Sequence, residues 1–140
     1  MASINNNVRA LFSDEIDLTS ATGAKFTWIP LHPLKVYYAG FVTTAARSGT
    51  ITTEGVVKLV YTPSGGAGAD QAVWTSSSTN LNTLGQEYNA DAASALLTTP
   101  LTVQAGDKLE WKVTTQMAGT SPVNKGKIVI YYDIIPDGQV

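Results

Sequence analysis

A single antiparallel β-sandwich, of jelly-roll type in preference to immunoglobulin-like, is the fold this sequence predicts, and three observations predict it. Apolar and polar residues alternate at every step in runs such as Leu109-Glu110-Trp111-Lys112-Val113-Thr114, so their side chains point to opposite faces of a pleated strand. Eight or nine such runs follow one another between Gly, Pro and Ser turns, and the strand number favours the jelly roll. The composition is 44% hydrophobic but only 14% charged, with no cysteine and one histidine, so it is rich in what builds sheets and poor in what does chemistry.

Taken in order, residues 1–9 read as a polar arm, residues 10–136 as one domain and residues 137–140 as an acidic exposed tail. Val8 to Phe12 and Glu15 to Thr19 each read as a short extended segment. Lys25-Phe26-Thr27-Trp28-Ile29 is a strand with Phe26 and Trp28 on one side, ended by Pro30 and Pro33, which cannot donate to a ladder. Leu34 to Thr44 is apolar on both faces at its centre, as suits a central strand or one facing a partner, and Arg47-Ser48-Gly49-Thr50 is the turn that follows. Val56 to Thr62 aligns Val57, Leu59 and Tyr61, and Pro63 to Gly68 closes it with the most permissive loop of the chain. Gln71 to Thr75 is a weaker strand. Glu87 to Leu97 is the one segment with helical character, carried by Ala92, Ala93, Ala95, Leu96 and Leu97. Pro100 to Thr115 reads as a hairpin about the turn Ala105-Gly106-Asp107, and Lys127 to Ile135 is the last strand, with Ile128, Ile130, Tyr132 and Ile134 on one face.

With 140 residues the chain is large enough to bury roughly two thirds of the surface its unfolded form exposes, without a disulfide or metal staple. Nine basic residues scattered singly and a net charge of -2 offer no stripe for a phosphate backbone, which argues against nucleic acid as a partner. The residues from Met1 to Arg9 lack the basic start and apolar core of a signal peptide, and no apolar stretch approaches the ~18 residues of a membrane span. Charge this sparse leaves much of the surface to Thr, Ser, Asn and Ala, which points to assembly into a homo-oligomer.

The chemistry-bearing groups do not converge on a reaction. His32 lies between Leu31 and Pro33 with no second histidine or cysteine to share a metal, and no Gly-x-Ser-x-Gly elbow positions a nucleophile for it. Asp14, Glu15 and Asp17 are spaced as an acid/base pair or calcium ligands would be, but they fit a solvated strand edge better, because no Gly-bearing metal loop surrounds them. Ser64-Gly65-Gly66-Ala67-Gly68 lacks the Gly-Lys-Ser/Thr ending and following helix of a phosphate loop. The expectation is therefore no enzyme, no cofactor and no bound metal.

The aromatics carry the remaining possibilities. Trp74 and Tyr88 flank a polar stretch and would form a stacking platform for a sugar, the alternative reading of the chain as a carbohydrate-binding module. Core burial is the commoner fate of such rings, and Trp111 and Trp74 are assigned to the core with Tyr88 open. Tyr37-Tyr38 and Tyr131-Tyr132 are adjacent pairs, so one ring of each faces out. Tyr37 and Tyr131 are the candidates for an oligomer interface, Tyr131 sharing its face with Lys127, Val129 and Asp133.

The arm Ser3-Ile4-Asn5-Asn6-Asn7, the Thr/Ala/Gly-rich strands, Val103-Gln104-Ala105-Gly106-Asp107-Lys108-Leu109 and Gly126-Lys127-Ile128-Val129-Ile130-Tyr131-Tyr132-Asp133 together resemble small β-rich virion proteins of tailed bacteriophages, closest to capsid decoration, or cement, proteins. The resemblance implies a protein made in the host cytoplasm that sits on the capsid exterior as a trimer and clamps neighbouring copies of the major capsid protein. A tail or fibre component would read similarly. Under this reading Asn5, Asn6, Asn7 and Arg9 are the capsid-contact candidates, because a polar arm is cheap to leave disordered and gains hydrogen bonds when it orders on a partner.

Overall fold

The computed structural model describes residues 8–76, 81, 84, 85 and 100–135, and the backbone of 87–89. The strands of the described residues are β1 (Arg9–Phe12), β2 (Ile16–Asp17), β3 (Gly23–Trp28), β4 (Leu34–Thr53), β5 (Val56–Thr62), β6 (Ala69–Thr75), β7 (Glu87–Asn89), β8 (Leu101–Val103), β9 (Lys108–Thr115) and β10 (Ala118–Ile134). Among the described residues there is no helix, and so none long and apolar enough to cross a membrane. The period-2 pattern sets the strands' faces: β9 buries Leu109, Trp111 and Val113, β5 buries Val57 and Leu59, and β10 buries Ile128 and Ile130.

The strands form two antiparallel sheets packed together as a β-sandwich. One runs in the order β1-β10-β4-β7, with β2 also on β10 and β8 also on β4, and the other runs β3-β9-β5-β6. A continuous ribbon links them. β4 pairs with β10 from Leu34 opposite Ile134 to Thr53 opposite Ala118. Beyond the Glu54-Gly55 and Gln116-Met117 corners, the same two stretches of chain pair again as β5 and β9. Between the sheets lie Trp74, Trp111 and Phe41 with Ile16, Leu18, Leu59, Leu109, Ile128 and Ile130, none more than 1% exposed. Phe26 meets Trp111 edge-on at 4.9 Å and Trp28 meets Tyr132 at 5.0 Å, the geometry that sets a ring's positive edge against a negative face.

Four local expectations are corrected. The expected turn at Arg47-Ser48-Gly49-Thr50 is extended strand, because Ser48 and Thr50 find partners in Val123 and Thr120. The mismatch is a bulge in β10, where Ser121, at φ 50°, and Pro122 stand opposite Gly49 alone. The expected hairpin from Pro100 to Thr115 keeps its turn but not its pairing: β8 joins β4 while β9 joins β3 and β5, so the turn carries the chain from one sheet to the other. The start of the expected helix, Glu87–Asn89, is strand paired with Val42, Phe41 and Gly40, tertiary pairing overriding a weak local preference; residues 90–97 lie outside the described residues. Arg9 is not part of a free arm but begins β1 opposite Tyr132, while Asn5, Asn6, Asn7 and the 137–140 tail lie outside the described residues.

Candidate functional site

One end of the sandwich gathers the features that stand out from a plain scaffold. The loop between β3 and β4, Ile29 to Pro33, lies there beside the turn from Gln104 to Asp107, whose Gly106 N–H donates to Pro30 O at 3.0 Å. Ile135 N–H donates to Pro33 O at 2.8 Å, and Arg9 opposite Tyr132 brings the start of β1 to the same end. The loop after β5 joins them through Asp107.

Asp107 is the pin of this end. It is 4% exposed, yet its carboxylate accepts three hydrogen bonds: from Ser64 N–H at 2.8 Å, Tyr61 O–H at 2.6 Å and Gln104 N–H at 2.9 Å. Burial pushes its pKa up, but the Tyr61 hydroxyl and the two backbone amides favour the charged form more, and the carboxyl is held below its ordinary value. Tyr61 answers in the opposite sense, pushed up to about 12 by burial and by the Asp107 charge it donates to. Gly106, at φ 87°, supplies the left-handed third position that the Gln104 to Asp107 turn needs, and Asp107 N–H closes it on Gln104 O at 3.1 Å. The Gly-rich loop is thereby fastened at Ser64, and Gly66 N–H closes its first turn on Pro63 O at 2.9 Å.

On this fastened base the loop from β3 to β4 presents apolar side chains to solvent. Leu31 is 85% exposed and Ile29 52%, with Val8 at 51% near the start of β1. Pro30, which is buried, and Pro33 limit the loop's conformations, and both of their carbonyls are held. The backbone on either side of Leu31 is thus held while its side chain stands in solvent. His32 is exposed beside Leu31 and forms no metal-binding group with other described residues. From the sequence Pro30 and Pro33 read only as strand terminators. The available signal was two large aliphatics flanking a proline where the pattern of alternation stops.

The other expected sites fall as follows. Trp74 is fully buried, which corrects its place in a sugar platform: a ring enclosed between two sheets offers no face for stacking. For Tyr88 the structure gives the backbone alone, opposite Phe41 in the sheet. Tyr131 lies on the outer face of its sheet at 5.0 Å from Tyr38, centroid to centroid. Tyr37 is the extra residue of a bulge, since Val36 pairs with Tyr132 and Tyr38 with Tyr131, and it is 41% exposed. The Asp14, Glu15, Asp17 group is tied to its surroundings: Glu15 accepts the Thr44 hydroxyl at 2.7 Å, Asp17 accepts from Thr19 N–H at 2.8 Å, and Lys125 lies about 4 Å from both carboxylates. Comparison with known proteins finds no matching family, no similar curated protein and no similar solved structure.

Proposed function

We propose that this chain is a non-enzymatic structural protein of a phage particle that binds the outer surface of the shell through its loop end and the arm preceding β1, and so stabilises the shell. The observation that carries the reading is the pinned loop end, where Leu31 stands 85% exposed on a base locked by Asp107. An apolar side chain so exposed, on backbone held at Pro30 and Pro33, suits a contact with another protein. The strand order supports the jelly-roll assignment: β1-β10-β4-β7 and β3-β9-β5-β6 are what results when one long antiparallel ribbon is wrapped on itself, an architecture used by viral shell proteins among others. That is support at the level of fold, and the loop end supplies what is specific. Burial of Trp74 removes the ring on which the carbohydrate reading mainly rested.

The test is binding of the purified chain to phage shells from which it has been stripped. Leu31→Asp should weaken binding by tens of fold, in keeping with about 2 kcal/mol for a central anchor, and deletion of residues 2–7 should weaken it further. Unchanged binding by Leu31→Asp would remove the loop end from the interface.

A further inference from the structure

The two outer faces of the sandwich differ in a way that burial and register make legible. On the four-stranded sheet most of the outward charges are matched within the chain, Lys58 with Asp70 at 2.6 Å, and Glu110 with Lys108 at 3.0 Å and Lys112 at 3.4 Å, with Lys25 of β3 the exception among the described residues. This is the pattern of a face that meets water. On the six-stranded sheet, the outward row of β10 runs Lys127, Val129, Tyr131, Asp133, and beside it β1 sets Phe12 opposite Val129 and Ala10 opposite Tyr131. Phe12 is 56% exposed, although Leu11 next to it packs on the core. Among the described residues neither Lys127 nor Asp133 makes an ion pair, although Lys35 stands opposite Asp133 in the ladder.

That row is complementary to itself. It begins with a cation and ends with an anion about 20 Å away along the strand, with apolar and aromatic groups between, and its midpoint is residue 130. We infer that this face is where a second copy of the chain docks, sheet on sheet, about a two-fold axis that crosses the strands at Ile130. The rotation lays β10 antiparallel on the partner copy's β10, so that each Lys127 meets an Asp133 and each Asp133 a Lys127. It lays each Phe12 ring over the small Ala10 of the other copy, large against small, as close packing of two sheets requires. Val129 is already fully buried and forms the floor of this face rather than a contact. The symmetry is two-fold, in place of the three-fold arrangement implied by the resemblance, because a three-fold axis does not pair an element with its own reverse. This dimer rests on the proposed function in no residue, since Leu31 and the Gly106 turn that hold the loop end are not among these side chains, although Ala10 and Asp133 border that end.

Sedimentation equilibrium with charge reversal tests it. The unaltered chain should sediment at twice 14.8 kDa. Lys127→Asp and Asp133→Lys should each raise the dissociation constant at least tenfold by opposing like charges, and the double variant, in which the pairs are merely reversed, should return to within about threefold of the starting value. Leu31→Asp should leave the dimer intact, so failure of shell binding and failure of self-association are told apart. A chain that sediments at one or three chain masses, a single reversal without effect, or a double variant that stays dissociated would each overturn the inference.

Discussion

Asp107 ties three separate stretches of chain to one carboxylate, so single substitutions there and at Tyr61 have predictable signs. Asp107→Ala leaves the Tyr61 hydroxyl and two amides without their acceptor and should cost about 3 kcal/mol, read as a shift in the urea midpoint. Because the folded carboxyl titrates below its ordinary value, its contribution to stability is present above about pH 4 and is lost as pH falls through the folded value. Asp107→Asn should therefore flatten the acid limb of the stability profile. Tyr61 has the opposite sign: its folded value of about 12 lies above the ordinary 10.0, so its contribution holds below pH 10 and fades between the two. Tyr61→Phe should remove that alkaline loss, and a profile of melting temperature against pH checks both limbs. Trp74→Ala should cost about 3–5 kcal/mol, because the ring it removes is wholly enclosed, and its effect on any binding should follow unfolding alone.

The paired strands β4 and β10 organise the molecule, and one glycine in β4 sets how their outer face packs. A Cβ at Gly40 would lie 2.6 Å from the Tyr38 hydroxyl oxygen, so the bare backbone is what lets that ring lie along the sheet and meet Tyr131. Gly40→Leu should displace Tyr38 and cost about 1–3 kcal/mol, with a loss of near-ultraviolet circular dichroism from the tyrosine pair. Strands were legible in the sequence where apolar and polar residues alternate: Leu109 to Val113 puts Leu109, Trp111 and Val113 in the core and Glu110 and Lys112 on the other face, whereas Ile128, Val129 and Ile130 are all buried and their strand was legible from its β-branched run. The extension of β4 through Arg47 to Thr50 was not legible, because Ser-Gly-Thr is equally good turn and bulge chemistry and only the presence of Thr120 and Val123 across the ladder decides. The same holds for Tyr37, whose bulge cannot be read from two adjacent tyrosines. At the loop end the Gly106 turn was legible but its partners were not, since Ser64 and Asp107 are 43 residues apart and meet only when both sheets are in place.

The surface of the whole molecule has three parts. The outer face of β3-β9-β5-β6 carries mostly paired charges, the outer face of β1 and β10 carries Phe12, Tyr131, Lys127 and Asp133, and one end carries the pinned loops with Leu31 at their tip. Sparse charge is consistent with this division, since a chain that meets other proteins over much of its surface needs less charge to stay dispersed. Shell binding should gain from many copies engaging at once, so a single weak anchor such as Leu31 suffices in each. The central claim is that this end faces a phage shell. Electron cryomicroscopy of particles carrying the chain tests it most directly: the account predicts sandwich-shaped density on the outside of the head with the Leu31 loop turned toward the major capsid protein, whereas density confined to the tail, or a sandwich whose Leu31 end points into solvent, would contradict it.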